Sequence, residues 1–176
     1  MGTTLNKAEL ELRIDEAVKL SLAKIPGSDV AIAGACVLYA HETAKVLQEE
    51  GYTALVQGGS AFWRMAPDSE PGMTWFGYGF NKDEAAHAVT RGYLPELHAW
   101  VVVMETEELV DCTAKHQATQ LRNTFLSEGI RKEWREQYTL PSTIWKKWSD
   151  VGARERYAAD DFATAIVNRM IKKYFL

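Results

Sequence analysis

The chain has 176 residues, of which 47% are hydrophobic and 25% are charged, and its formal net charge is -4. This length suits one domain around one core, so we expect a single domain over residues 1–176. The mild negative charge gives no electrostatic reason to expect nucleic acid as a partner.

The N-terminal residues mix charged with apolar side chains, so they lack the apolar core of a signal peptide. No run of the sequence approaches the roughly 20 apolar residues of a membrane span. We therefore expect a cytoplasmic protein with no membrane partner, in which the two cysteines are reduced thiols. The sequence leaves the oligomeric state open.

Two helices are predicted in the N-terminal part of the chain. Between Asn6 and Ile25 the apolar residues recur at three- and four-residue intervals, which is typical of one face of an amphipathic helix. These residues are Leu10, Ile14, Val18, Leu22 and Ile25. A second helix is predicted from about Ala35 to Glu50, ending at Gly51, and it places Cys36 in its first turn.

The middle of the chain predicts antiparallel strands. The segments "YTALVQGG", "SAFWRMA" and "TWFGYGF" are rich in aromatic and β-branched residues and are separated by glycine or by a turn. The polar stretch "NKDEAAHAVTRGYLP" predicts a loop with a helical turn, and "HAWVVVMETEELVDCT" predicts a β-hairpin.

The C-terminal third is predicted to be helical. Its last helix has an apolar stripe formed by Phe162, Ile166, Met170 and Tyr174. The segment "IRKEWREQYTLPSTIWKKW" mixes basic residues with tryptophan, and we interpret it as a solvated helical face rather than a membrane or nucleic-acid patch.

Cys36 is the candidate nucleophile. The N-terminus of a helix carries unpaired N–H groups and a partial positive charge, both of which favour a thiolate. A cysteine nucleophile also needs an imidazole to hold its proton and an acceptor to orient that imidazole. His98 and Asp111 are the candidates for these two roles.

The register of the predicted hairpin tests this pair. If the turn centres between Met104 and Glu105, His98 lies directly opposite Asp111. If it centres between Glu105 and Thr106, the two residues are diagonal on the same face, roughly 7–8 Å apart, which an aspartate and a histidine can span. A turn centred further along would separate them.

Together these residues resemble the transglutaminase-like branch of the papain-like cysteine proteinase superfamily. The resemblance covers roughly residues 30 to 115, with Cys36 at a helix start, then His98 in "HAWVVV" with Trp100 two residues later, then Asp111 in "LVDCTA". It implies a papain-like α+β fold, with a small antiparallel sheet, the Cys36 helix packed on it, and flanking N- and C-terminal helices. It also implies a Cys-His-Asp triad that needs no cofactor.

The sequence departs from the family ahead of Cys36, where the family has a glutamine or tryptophan that contributes to the oxyanion hole. Here the residues are Ala31-Ile32-Ala33-Gly34-Ala35, so the oxyanion donors remain open. The backbone N–H of Cys36 is one candidate and Gln57 is another. Most aromatic side chains of the strands are expected in the core, while Trp63, Trp100 and Gln57 are candidate substrate contacts.

The predicted function is hydrolysis of an amide or peptide bond through a thioester on Cys36, with a peptide, a protein or a small amide as substrate. Two alternatives remain. One is a catalytically inactive member of the same fold that binds a partner protein. The other is an acyltransferase that uses a small activated thioester donor.

The other titratable side chains receive structural interpretations. Cys112 follows Asp111 and alternation turns it to the opposite face of the strand, into the core. The histidines other than His98 are weaker candidates for a base; they are His41, His87 and His116. A metal site of Asp111, Cys112 and His116, with or without His98, lacks a recognised ligand spacing, and we predict no metal.

Overall fold

The computed structural model describes residues 6–24, 35–64, 75–114, 143–152 and 154–176. These residues form a mixed α+β fold, in which a six-stranded antiparallel sheet combines with helices. The elements in chain order are α1 (Lys7–Leu22), α2 (Ala35–Glu49), β1 (Ala54–Arg64), β2 (Trp75–Tyr78), α3 (Lys82–Thr90), β3 (His98–Val103), β4 (Glu108–Asp111), β5 (Ile144–Lys147), a short 3-10 helix (Trp148–Asp150), β6 (Glu155–Ala159) and α4 (Asp161–Tyr174).

The first helix follows its predicted apolar stripe. Its N-terminus is capped by Asn6, whose side chain accepts a hydrogen bond from the backbone N–H of Glu9. The residues that the helix buries are Leu10, Ile14 and Val18. Ile25, the last member of the predicted stripe, lies outside the described residues.

The second helix also matches its prediction and places Cys36 in the first turn. It ends two residues before Gly51, whose φ of 89° is readily adopted only by glycine. Its buried face joins α1 and the sheet in the main hydrophobic core, which includes Leu38, Leu47 and Val101. The helix therefore holds Cys36 against one edge of that core.

The segments "YTALVQGG" and "SAFWRMA" were predicted as two strands, and this is wrong, because β1 runs without interruption through both. The glycines at its centre allow close packing instead of ending the strand. A Cβ at Gly58 would lie 2.8 Å from Val167 of α4, and a Cβ at Gly59 would lie 2.0 Å from the carbonyl oxygen of Ala158 in β6. The missing side chains let α4 and β6 approach β1.

Strand β1 is the centre of the sheet. Its first half pairs with β3, and its second half pairs with both β2 and β6. The predicted hairpin is present as β3 and β4, and the other edge of β4 pairs with β5. Within it Val101 pairs with Val110, so the turn centres between Glu105 and Thr106. This is the register that places His98 and Asp111 diagonally on one face.

Two predictions for connecting segments need correction. The stretch predicted as a loop with a helical turn forms the nine-residue helix α3, capped by the Asn81 side chain, which accepts from the N–H groups of Asp83 and Glu84. The C-terminal third is not all helical, because β5 and β6 lie in it. Each strand has only four or five residues, too few for a clear two-residue alternation.

The last helix follows its predicted stripe only in part, because Ile166 is buried but the other three members are not. Tyr174 is exposed, and Phe162 and Met170 are only partly buried. The face against β1 is formed by Ala163, Ile166, Val167 and Ile171. Of the basic, tryptophan-containing segment, residues 130–142 lie outside the described residues, and Ile144–Lys147 is strand β5 rather than a helical face.

The two faces of the sheet carry different clusters of buried side chains. The larger cluster joins α1, α2 and α4 to Ala99, Val101 and Val103 of β3. The smaller cluster is aromatic and contains Trp63, Trp100 and Tyr157. Because side chains alternate along a strand, His98 and Asp111 belong to the smaller, aromatic side.

Among the described residues, none of the helices is both long enough and apolar enough to cross a membrane.

Candidate catalytic site

The centre of the candidate site is a buried pair of His98 and Asp111. His98 is the first residue of β3 and Asp111 is the last residue of β4. The imidazole Nε2 lies 2.8 Å from Asp111 Oδ2, and the two residues are 0% and 2% exposed. The diagonal register therefore brings the two side chains into hydrogen-bonding contact, as the second of the two registers predicts.

The Asp111 carboxylate accepts hydrogen bonds at both oxygens. Oδ1 accepts from the backbone N–H and the side-chain hydroxyl of Thr113, the former at 3.0 Å. Oδ2 accepts from the Tyr157 hydroxyl at 2.8 Å as well as from His98. A carboxylate surrounded only by donors is held in its ionised form.

The electrostatics of the pair follow from these contacts. Burial raises the pKa of the Asp111 carboxyl, but the His98 charge and the hydrogen bonds from His98, Thr113 and Tyr157 outweigh it, so the pKa is lowered. Burial lowers the pKa of His98, but the Asp111 charge, the hydrogen bond to Asp111 and the Cys36 thiol outweigh burial and raise it to about 10. At neutral pH the pair is therefore an imidazolium and a carboxylate.

Cys36 lies next to this imidazole. It lies close enough to His98 to raise the pKa of the imidazole. Since Nε2 is bonded to Asp111, Nδ1 is the ring nitrogen left for the thiol proton, and it is buried without a partner of good hydrogen-bond geometry in the described part of the chain. Catalytic hydrogen bonds are often long before substrate binds. Cys36 is partly exposed.

Four aromatic rings surround the imidazole. Trp63 contacts it edge-on at 5.1 Å between centroids, and Tyr78 stacks on it at 5.5 Å with an interplanar angle of 8°. Trp100 and Tyr157 lie at 6.3 and 6.4 Å. These contacts fix the plane of the ring and keep water from it. Trp63 and Trp100 are buried here, so their role as substrate contacts stays a prediction.

Gln57 stands opposite Trp100 in the β1–β3 register and is partly buried. It lines a cleft of about 880 Å³ between the later turns of α2, strand β1 and α4. The cleft does not include Cys36, His98 or Asp111. Because the contacts place the reactive groups elsewhere, we locate the candidate chemistry at Cys36 rather than in this cleft, and the roles predicted for Gln57 remain untested.

Cys112 and the histidines other than His98 have different surroundings or lie outside the described residues. Cys112 is buried in the larger core cluster, which confirms its predicted place. His41 stacks on Phe175 at 6.0 Å and lines the cleft, and its pKa is lowered by burial. His87 is exposed on α3, and His116 lies outside the described residues.

Within the described ranges, no three His, Cys, Asp or Glu side chains are arranged to hold a metal ion. The candidate set of Asp111, Cys112 and His116 includes one residue beyond those ranges.

Two residues of the site were missed from sequence. Thr113 had a detectable signal, because a threonine two residues after an aspartate often returns hydrogen bonds to its side chain. Tyr157 had none, since its contact with Asp111 spans 46 residues and its strand was not predicted.

The comparisons with known proteins give information on the fold only. No protein-family model and no curated protein matches the sequence. A solved structure described as "The crystal structure of genomics APC5867" is similar to this chain, with a TM-score of 0.55 and 17% sequence identity. The match covers 98% of this chain and 75% of that chain. At this identity the similarity supports the mixed α+β arrangement and carries no argument about catalysis.

Proposed function

We propose that this protein is a thiol-dependent hydrolase of amide or peptide bonds with a papain-like, transglutaminase-like fold. Cys36 is the nucleophile, His98 is the general base and acid, and Asp111 orients the imidazole. The substrate is a peptide, a protein or a small amide, and the setting is a cytoplasm that keeps Cys36 reduced. In the described part of the chain no disulfide joins Cys36 to Cys112, which is compatible with such a setting.

One observation carries the proposal. Cys36, a partly exposed residue in the first turn of α2, lies beside the buried imidazole of His98. The imidazole is hydrogen-bonded to the buried Asp111 carboxylate, and Asp111 and Cys36 together raise its pKa. A cysteine nucleophile needs an imidazole beside it to handle its proton, and the backbone N–H groups of a helix start are suited to bind a developing oxyanion. If the His98–Asp111 pair served only stability, it would not require a cysteine beside the imidazole.

The arrangement suits a two-step acyl transfer. The Cys36 thiolate attacks the carbonyl carbon, and the electron pair of the carbonyl moves to oxygen. When the tetrahedral intermediate collapses, the C–N bond breaks and His98 gives its proton to the leaving amine. A thioester on Cys36 remains, and His98 is neutral.

Water completes the cycle. His98 takes a proton from the water molecule as its oxygen attacks the thioester carbonyl, and collapse of the second intermediate releases the acid and the Cys36 thiolate. Asp111 stays ionised throughout and stabilises the imidazolium. The backbone N–H of Cys36 is the candidate donor to the oxyanion in both steps.

The first test measures the reactivity of each cysteine in the native protein. Iodoacetamide labelling is followed by mass spectrometry from about pH 5 to 9 in wild type and His98→Ala, with glutathione as the free-thiol reference. The proposal expects Cys36 to label at pH 6 at least tenfold faster than glutathione, and His98→Ala to remove that advantage. Labelling of Cys36 no faster than glutathione contradicts it and favours an inactive binding module.

A second test separates hydrolysis from acyl transfer. Wild type and Cys36→Ala are incubated with a peptide library, a panel of small amides, and an acyl thioester such as acetyl-coenzyme A. Cys36-dependent release of amine supports the hydrolase. A stable acyl adduct on Cys36, formed only from the thioester, overturns it in favour of the acyltransferase.

A further inference from the structure

Tyr157 reaches the candidate site from β6 and is buried next to the His98–Asp111 pair. Its hydroxyl lies 2.8 Å from Asp111 Oδ2, the same oxygen that accepts from His98 Nε2. The indole N–H of Trp63 lies 3.2 Å from the same hydroxyl. Tyr157 therefore holds the Asp111 carboxylate directly, and Trp63 holds the Tyr157 hydroxyl, although both are distant from Asp111 in sequence.

The direction of each proton in this chain of hydrogen bonds is determined by the donor inventory. An indole N–H can only donate, so the Tyr157 oxygen accepts from Trp63 and its own proton points to Asp111. The ionised carboxylate can only accept, so His98 must carry a proton on Nε2. This leaves Nδ1 as the nitrogen that exchanges a proton with Cys36.

We propose that Tyr157 is a positioning residue of the candidate catalytic site, which keeps Asp111 ionised and correctly oriented so that His98 presents Nδ1 to Cys36. The assignment of this role to catalysis rests on the proposed function, whereas the coupling of Tyr157 to His98 does not. Tyr157 contacts no reacting atom, and it acts through Asp111.

The groups that affect the protonation of Asp111 and His98 come from several neighbouring elements. Asp111 is contacted by His98 from β3 and by Thr113 from the residues after β4. Tyr157 accepts a hydrogen bond from Trp63 of β1, and the charge of Glu155 on its own strand raises the pKa of its hydroxyl. Glu155 in turn forms an ion pair with Lys146 of β5, and Cys36 of α2 interacts with the imidazole.

The perturbation is Tyr157→Phe, which removes the hydroxyl and keeps the ring that packs on Trp100. Without this donor Asp111 becomes more basic, so acid neutralises it at a higher pH and His98 loses its partner earlier. We expect Cys36 alkylation on the acid limb of the pH profile, where Asp111 takes up a proton, to fall about 10- to 100-fold, as for the loss of one hydrogen bond to a charged group. The acid limb of the alkylation profile should move to higher pH.

The experiment compares wild type, Tyr157→Phe and the control Tyr93→Phe, a tyrosine that is 70% exposed. Alkylation of Cys36 and the ¹⁵N signals of the His98 ring nitrogens are both followed against pH. A shifted acid limb and a shifted His98 titration in Tyr157→Phe, with Tyr93→Phe unchanged, support the inference. Lower thermal stability with both profiles unchanged overturns it and makes Tyr157 a packing residue.

A second variant covers the case in which Tyr157→Phe does not fold. Site-specific replacement of Tyr157 by 3,5-difluorotyrosine keeps the hydroxyl and makes it a stronger donor, so both profiles should move to lower pH. No movement overturns the inference. If amide hydrolysis is absent from wild type while the His98 titration responds to these changes, the proposed function fails and the coupling of Tyr157 to His98 stands.

Discussion

Asp111→Asn is the most informative single substitution, because it keeps the shape of the side chain and removes one acceptor. Four donors converge on Asp111: two from Thr113, one from Tyr157 and one from His98. The backbone N–H of Thr113 cannot become an acceptor. The asparagine oxygen must therefore face Thr113, and its NH₂ group must face His98 and Tyr157.

This forced orientation reverses the hydrogen bond to the imidazole. The NH₂ group donates to His98 Nε2, so the proton of the neutral ring moves to Nδ1, the nitrogen that should accept the thiol proton of Cys36. The wrong tautomer costs on the order of 10⁴-fold in rate where the same exchange has been made in a serine triad. We expect a comparable loss of any amide hydrolysis that depends on Cys36.

The same substitution destabilises the fold. Removing one partner of a buried ion pair costs about 3–5 kcal/mol, and asparagine retains the volume, so we expect about 3 kcal/mol from urea unfolding. Asp150→Asn, on the exposed 3-10 helix, is the matched control and should unfold like wild type. If Asp111→Asn alkylates at Cys36 like wild type and loses less than about 0.5 kcal/mol, the assigned hydrogen-bond pattern is wrong.

Three further outcomes are expected. Because the folded-state pKa of His98 is raised to about 10, its stabilisation is complete below about pH 6.5 and is lost as the pH rises toward 10. The difference in unfolding free energy between wild type and His98→Gln should therefore shrink over this range in urea titrations, and a constant difference would contradict the raised pKa. Gly59→Ala places a Cβ 2.0 Å from the Ala158 oxygen and should cost at least about 3 kcal/mol, whereas Gly79→Ala, with its nearest neighbour at 3.5 Å, should melt near wild type. Cys112→Ala removes a buried sulfur and should cost about 1–2 kcal/mol by thermal melts while leaving the pH profile of Cys36 alkylation unchanged.

The candidate site combines a rigid half and an accessible half. His98 and Asp111 lie on adjacent strands of the sheet, and aromatic rings surround the imidazole. Cys36 belongs to a different element, the first turn of α2, and is partly exposed. Such a division suits a nucleophile that must meet a substrate while its base is kept in one orientation away from water.

Local periodicity accounts for the predictions that were confirmed. The stripe of α1, the first turn of α2 and the hairpin of β3 and β4 all depend on neighbours within a few residues, so their patterns are visible in the sequence. The pairing of His98 with Asp111 is also local in this sense, because a single turn connects their strands. Parity left two acceptable registers, and the structure has the one with Val101 opposite Val110.

Other features depended on contacts between distant segments. The pair Gly58 and Gly59 has the local character of a strand break, yet β1 continues through it because α4 and β6 pack where side chains would stand. Strands β5 and β6 are short and weakly patterned, and they exist through pairing with β4 and β1. No local pattern distinguishes such strands from helix or loop.

The sequence by itself therefore determined the amphipathic N-terminal helix, the helix start at Cys36 and the face shared by His98 and Asp111. Only the tertiary structure decided the environment that gives these residues chemical character. The Tyr157 hydroxyl reaches Asp111 across 46 residues, and Cys36 meets the imidazole from a separate helix. Burial and converging hydrogen bonds determine the charge states of His98 and Asp111. Both arise from packing between distant segments, which no local sequence pattern predicts.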